Sequence, residues 1–354
     1  MNLILDNIIF SLQKSGGISV VWKEHLKRLL KDSFHKNKIS VFEHNNAIEN
    51  NIFRKELDIP SNIIQSVSEK HLAIKRYFSP QISCTKDDIF HSSYYRYLKG
   101  AKNITTIHDF TYEYYVKGIK QKVHSWQKRQ AVLNSEKIIC ISNNTRDDLL
   151  RFIPEVDPTK VEVIYNGVNE NFYPLSIPTS IEGFPYDKEE YILFVGDRKS
   201  IYKQFDLAAK VASEIKKPLA IVGRPLTQEE TTKLNDTNYH VLSGISTETL
   251  NILYNNAFCL LYPSLYEGFG IPVIEAQRAG CPVIAGANSS IIEVIGEGGI
   301  ALEELNLSNI IEAIQTLDKS SYRNDVIKKG LENTQRFSWD KTYEQTIKVY
   351  QSLM

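Results

Sequence analysis

Tyr266-Glu267-Gly268-Phe269-Gly270-Ile271-Pro272-Val273-Ile274-Glu275-Ala276 sets two glutamates eight positions apart around two glycines and a proline. An apolar, strand-like run over 258–262 feeds this stretch, and a helix-like run leaves it. Glycine lets a backbone come close to a ligand. Proline fits the first turn of a helix, where its missing N–H costs nothing. A helix N-terminus preceded by glycines is a ready anion site. A carboxylate on each side of such a site suits a ligand carrying both phosphate and hydroxyls, as a nucleotide sugar does.

Working outward, the 354 residues predict two domains of ordinary size. A hydrophobic content of 42% with 24% charged residues is that of a globular chain. No apolar run reaches the ~18 residues a membrane span needs. The first ten residues carry charge and lack a small-residue cleavage site, so they read as a first strand and not as a signal peptide. Cys84, Cys140, Cys259 and Cys281 have no metal-binding spacing and read as thiols in a reducing cytoplasm. The net charge of zero hides an asymmetry. Residues 1–171 hold 25 Lys and Arg against 19 Asp and Glu, and the remainder holds 17 against 23. A basic front half suits an anionic membrane surface or a phosphorylated acceptor, and equally a mixed solvated surface. No nucleic-acid motif accompanies it.

Strands and helices alternate in both halves, which predicts α/β units with parallel sheets. Strands are expected at 3–10, 38–42, 89–91, 103–107, 137–141 and 161–165, then at 191–195, 219–222, 239–242, 257–262 and 282–285. Helices are expected at 18–31, 119–134 and 144–152, and later at 204–214, 227–235, 248–255, 272–279, 308–317 and 320–337. Pro174, Pro178, Gly183 and Pro185 interrupt any pattern and place the domain boundary within 171–190. Residues 43–88 are the least readable. Two such domains predict a cleft with ligands at the carboxyl ends of the strands.

Further candidates lie in the loops after strands. Gly196-Asp197-Arg198-Lys199-Ser200-Ile201-Tyr202-Lys203 can aim an arginine fork and a lysine point charge at one spot. Such a loop is also common on solvated surfaces, and the glutamate stretch on the same sheet edge favours the functional reading. The turns Val222-Gly223-Arg224-Pro225 and Ser243-Gly244-Ile245 could hold a nucleobase by backbone contacts or be ordinary connections. Gly16-Gly17 opens a helix and fits either a phosphate approach or a plain turn; it is not the dinucleotide fingerprint, whose third glycine is missing. His108-Asp109, at the end of a strand, stands where ligand contacts are expected. Asn143 or Asn144 is the expected helix cap after Ile141-Ser142. No Ser-His-Asp order, HExxH, P-loop or Cys/His metal pattern is present, which argues against hydrolases and metalloenzymes of those types.

Taken in order, Ser15-Gly16-Gly17, Ile107-His108-Asp109, Ile141-Ser142-Asn143-Asn144-Thr145, Val163-Ile164-Tyr165-Asn166-Gly167-Val168, Gly196-Asp197-Arg198 with Lys203, Val222-Gly223-Arg224-Pro225, and Glu267 with Glu275 after Pro263-Ser264 resemble the retaining GT-B glycosyltransferases of family 4. The resemblance covers essentially the whole chain. It implies two Rossmann-like domains with parallel sheets facing across a cleft: an acceptor-binding domain over 1–171, a nucleotide-sugar-binding domain over 172–337, and a last helix over 338–354 returning to the first domain. It also implies that Glu267, Gly268, Phe269 and Gly270 hold sugar hydroxyls, that Ile271 belongs to the donor-binding set, that Glu275 takes the ribose diol, and that Arg198 and Lys203 clamp the diphosphate, with Arg198, Lys203, His108 and Glu267 as the catalytic candidates. Gly223 and Ile245 would face the nucleotide, Gly16 and Gly17 would approach the phosphates, and His108 would reach the sugar from across the cleft. Tyr94, Tyr95, Asp109 and Ser142 are the acceptor candidates. The sequence departs from many relatives in having Tyr202-Lys203-Gln204-Phe205 where they carry Lys-Gly. With Phe90-His91-Ser92-Ser93-Tyr94-Tyr95 and His108-Asp109-Phe110-Thr111-Tyr112-Glu113, this looks like a branch common among bacterial surface-polysaccharide enzymes.

The expectation is therefore transfer of a sugar from a GDP-, UDP- or dTDP-sugar to an oligosaccharide or lipid-linked acceptor, as in O-antigen or capsule. No metal or other cofactor is expected, and no nucleic-acid partner. The expected setting is the cytoplasm, with peripheral contact at the inner membrane. The alternatives are a nucleotide-sugar epimerase and a non-catalytic sugar-nucleotide-binding protein of the same fold.

Overall fold

A computed structural model describes residues 2–32, 39–177 and 179–354; the expected strand residue Lys38 and the expected linker residue Pro178 lie outside them. The chain divides into two compact units, Met1–Gly167 with Trp339–Met354, and Val168–Ser338.

Among the described residues of the first unit, seven strands form one parallel sheet: β1 Leu3–Asp6, β2 Ile39–His44, β3 Ile64–Val67, β4 Ile89–Ser92, β5 Lys102–Ile107, β6 Lys137–Cys140 and β7 Val161–Val163, in the order β3-β2-β1-β4-β5-β6-β7. Leu3, Ile4 and Leu5 are all buried, as expected of a parallel strand covered on both faces. The strand expected over 3–10 stops at Asp6, whose Oδ1 accepts the N–H of Ile8 at 3.2 Å, and Ile8–Leu12 turns into a helix. Strand β3 falls in the stretch the sequence left unread. It is a four-residue edge strand whose side chains are half-buried or exposed, so it shows no buried alternation.

The order reverses between β1 and β4, which makes a switch point at their carboxyl ends. There the buried Asp6 pairs with Arg96, accepting from Nε at 2.7 Å and also from Nη2. The helix Trp339–Ser352 belongs to this unit: Tyr350 Oη lies 2.7 Å from both His91 Nδ1 and His25 Nε2, and Thr342 donates to the carbonyl of Tyr165 at 2.7 Å.

Among the described residues of the second unit, six strands form a second parallel sheet: β8 Ile192–Val195, β9 Leu219–Val222, β10 Tyr239–Leu242, β11 Cys259–Tyr262, β12 Val283–Gly286 and β13 Ile300–Leu302, in the order β10-β9-β8-β11-β12-β13. Its switch point lies between β8 and β11, registered Cys259 to Ile192 and Leu260 to Leu193. The loops following these two strands therefore share one edge. The N–H of Leu265 donates to the carbonyl of Tyr202 at 2.8 Å and ties the loops together.

Candidate functional site

The stretch after β11 ends in the helix Ile271–Arg278, with Pro272 in its first turn and Gly270 as its N-cap. Gly270 sits at φ +96°, a conformation that favours glycine, and a Cβ there would stand 2.6 Å from Ile291 Cδ1, which would have to shift. Phe269 is buried and packs edge-on against Phe337, ring centres 5.6 Å apart. The loop after β12 latches the segment: Glu267 N–H donates to Ser289 Oγ at 2.9 Å, Ser290 Oγ to the Glu267 carbonyl at 2.8 Å, and Asn288 Nδ2 to the Ser264 carbonyl at 3.0 Å. Sequence reasoning missed this latch, because small polar residues after a strand resemble any connection.

A 3₁₀ turn over Ile201–Lys203 brings Lys203 against β11. Its Nζ donates to Glu267 Oε1 at 2.5 Å and to Tyr262 Oη at 3.2 Å. Burial alone would lower the lysine's pKa, but the Glu267 carboxylate and the Tyr262 hydroxyl outweigh it and hold the pKa above its ordinary value. Lys203 is a cation throughout the neutral range.

Arg198 stands with a different carboxylate. Lys203 meets Glu267, and Arg198 lies against the turn after β9, beside Glu230. The Arg198 side chain is fully buried, 5.7 Å from the Phe205 ring centre, and burial lowers its pKa. A Cβ on Gly223 would stand 2.9 Å from Arg198 Nη1, so the glycine of that turn makes room for the guanidinium.

Glu275 lies on the second turn of the helix, half-buried, and accepts a hydrogen bond from Tyr254 Oη at 3.2 Å. Burial pushes its carboxyl up to about 7, against the Tyr254 bond, which acts to lower it. Such a group changes from donor-capable acid to pure acceptor across the physiological range.

Ile245 is half-buried in the turn before the helix Thr247–Asn256, which Ser246 caps. In the first unit, Gly16 and Gly17 open the helix Gly17–Leu29. His108 is buried and lines a cavity of about 40 Å³ with Trp22, His25, His91 and Asn166. Burial lowers its pKa to about 4 despite the neighbouring Asp109, so it is a neutral hydrogen-bonding group at pH 7. Tyr94 Oη lies 2.9 Å from His124 Nε2, Tyr95 is buried at φ +32°, and Asp109 Oδ1 accepts the Thr111 N–H at 3.1 Å. Ser142, and not the expected Asn143 or Asn144, caps the helix Asn143–Phe152, its Oγ accepting the Thr145 N–H at 3.0 Å. The helix begins one residue earlier than expected, which moves the cap back with it. Among the described residues, no group of three or more His, Cys, Asp or Glu side chains is arranged to hold a metal ion.

Residues 15–172 match the model described as Glycosyltransferase Family 4, and residues 180–333 match the model described as Glycosyl transferases group 1. The O-antigen chain mannosyltransferase B of Escherichia coli is 25% identical over 293 residues, covering 76% of this chain and 75% of that one. Sucrose-phosphate synthase from Thermosynechococcus elongatus shares the fold with a TM-score of 0.75 at 17% identity, over 100% of this chain and 99% of that one. Anabaena HepE in complex with UDP and glucose gives a TM-score of 0.70 at 14% identity, over 99% and 100%. The two parallel sheets and the solved structures they resemble show the GT-B fold, and the two family matches show a glycosyltransferase. The chain belongs to the family 4 glycosyltransferases, with the group 1 domain in its second half.

Proposed function

We propose that this enzyme moves a hexose-type sugar from a GDP-, UDP- or dTDP-sugar to an acceptor hydroxyl with the anomeric configuration retained, on a lipid-linked or growing surface polysaccharide of the O-antigen kind. The observation that carries the reading is the Lys203–Glu267 pair beside the helix opened by Gly270, with Glu275 further along the same helix. Such a site offers positive charge for a diphosphate, a carboxylate for sugar hydroxyls and a second carboxylate for a ribose diol. The chemistry of the Escherichia coli relative, an O-antigen mannosyltransferase, supports the acceptor class.

In this reading the bond from the anomeric carbon to the diphosphate oxygen breaks as the acceptor oxygen bonds on the same face. The acceptor proton passes to the departing diphosphate oxygen. Lys203, Arg198 and the helix N-terminus stabilise the charge that grows there, an effect of about 3–4 kcal/mol per donor in comparable sites. Glu267 orients hydroxyls instead of attacking the sugar. The charge is supplied by side chains and backbone, so the mechanism needs no metal, and activity should survive EDTA.

The enzyme would work at the cytoplasmic membrane face. Among the described residues no helix is long and apolar enough to cross a membrane. Within residues 70–133, Lys70, Lys75, Lys86, Lys99, Lys117, Lys120 and Lys122 are exposed, as are Ile74, Phe78, Ile119 and Trp126. Exposed lysines interspersed with exposed apolar side chains suit an anionic bilayer.

The test is a thermal-shift screen of GDP-, UDP- and dTDP-sugars, since binding to the native state raises stability. Transfer by the stabilising donor is then followed by NMR of the product's anomeric proton. An inverted product, or stabilisation by none of the three, would sink the proposal.

A further inference from the structure

We propose that Glu230 is a positioning residue for Arg198: its carboxylate holds the buried guanidinium by charge while leaving that guanidinium's hydrogen-bond donors to a diphosphate. The inference rests on the diphosphate role given to Arg198 above.

A fully buried arginine needs a counterion, and its five N–H donors need partners. Arg198 Nη2 donates to the carbonyls of Arg224 and, at 3.2 Å, of Pro225. Nε and Nη1 are buried and have no hydrogen-bond partner among the described residues. The Glu230 Oε1 atom stands 3.6 Å from Nε, within ion-pair range and beyond a hydrogen bond.

The carboxylate is kept at that distance because its oxygens are engaged elsewhere. Oε1 accepts from Arg224 Nη2, and Oε2 accepts from Arg224 Nη1 at 3.0 Å and from the Thr227 N–H at 2.9 Å. The last of these belongs to a capping box in which Thr227 Oγ1 also accepts the Glu230 N–H, fixing Glu230 on the first turn of the helix Gln228–Lys233. A capping role alone calls only for the Thr227 bond. It does not explain a glutamate side chain 8% exposed between two arginines. The arrangement balances the charge of Arg198 and leaves two buried donors unfilled, which an oxyanion admitted beside them can complete with charge-assisted bonds.

The test is a double-mutant cycle on the full chain, read by calorimetric titration with UDP, GDP and dTDP, using whichever binds most tightly. Glu230→Gln keeps the shape and the capping acceptor but removes the charge, and should weaken binding about tenfold. In an Arg198→Ala background the same change should alter affinity by less than about twofold, since the residue it positions is gone. Thr227→Ala removes the cap and leaves the charge; it should lower the thermal midpoint and leave affinity within about twofold. In protein labelled with nitrogen-15 arginine, the Arg198 Nε–H resonance should move in Glu230→Gln and stay in Thr227→Ala. If Glu230→Gln has the same effect in both backgrounds, or none where Arg198→Ala weakens binding, the positioning role is overturned while the diphosphate role stands. If Arg198→Ala itself binds like wild type, the diphosphate role fails, and the positioning role with it.

Discussion

Lys203 Nζ lies 2.5 Å from Glu267 Oε1, joining the end of the loop after β8 to the start of the segment after β11. The pair is 14% and 12% exposed, so each charge depends on the other. An incoming diphosphate would meet a cation already oriented by a carboxylate and by the Tyr262 hydroxyl. Beside the hydroxyl binding proposed for it, Glu267 fixes the lysine.

Lys203→Ala should cut turnover by roughly 10²–10³-fold, the effect of losing one preorganised donor. It also leaves Glu267 without its cation, so the thermal midpoint should fall. Adding Glu267→Gln should restore the midpoint and not the turnover. Steady-state kinetics alongside calorimetry would check both. Normal turnover in folded Lys203→Ala would refute the diphosphate assignment.

Glu275 gives a pH signature. Its folded pKa, raised by burial to about 7, lies above the ordinary value of 4.5. Between those values the folded state binds more protons than the unfolded chain, so this group makes stability fall as pH rises through the window. Glu275→Gln should flatten that slope and stabilise the protein above pH 7 by about 1–3 kcal/mol. Ionised Glu275 is the better acceptor for a ribose diol, so wild-type nucleotide affinity should rise from pH 6 to 8 and that of the variant should not. Denaturation and titration series over this range would measure both.

Much of this site was legible because phosphate and sugar chemistry imposes a local pattern. The glycines, Pro272 and the two glutamates lie within one stretch of chain, and β9 and β10 run over the residues the sequence marked. What escaped depends on distant parts of the chain. Glu230 lies in no motif marked in the sequence, and only the packing of β9 beside β8 brings it to Arg198. The Asn288–Ser290 latch needs β12 beside β11. Strand β13, only three residues long and directly following Gly298-Gly299, carries too little pattern to be read alone.

Gly270→Ala tests the turn that opens the helix. A methyl group there meets both the cost of positive φ and the 2.6 Å approach to Ile291 Cδ1. The sum should be about 2–4 kcal/mol, of which 1–2 is backbone. Adding Ile291→Val removes the Cδ1 atom and should recover the steric part alone. Complete recovery would show that the backbone conformation carries no strain for alanine. The thermal transition of the two variants separates these cases.

Trp126 and the lysines near it test the membrane face. Trp126 is 47% exposed on the helix Ile119–Leu133 and lines a groove with Phe78 and Lys99; Lys120 and Lys122 are exposed on the same helix. A tryptophan at a bilayer interface buries its ring and leaves its N–H wet, while each nearby lysine adds about 1 kcal/mol on anionic lipid. Replacing Lys120 and Lys122 by alanine should therefore weaken co-sedimentation with vesicles containing phosphatidylglycerol by roughly 30-fold. Trp126→Ala should also weaken it, and more evenly across salt concentrations, because its contribution is apolar. Binding of wild type to purely zwitterionic vesicles should be weak. If binding is absent on both lipids, or equal on both, this surface does not serve the membrane, and its exposed aromatic groups belong to another partner.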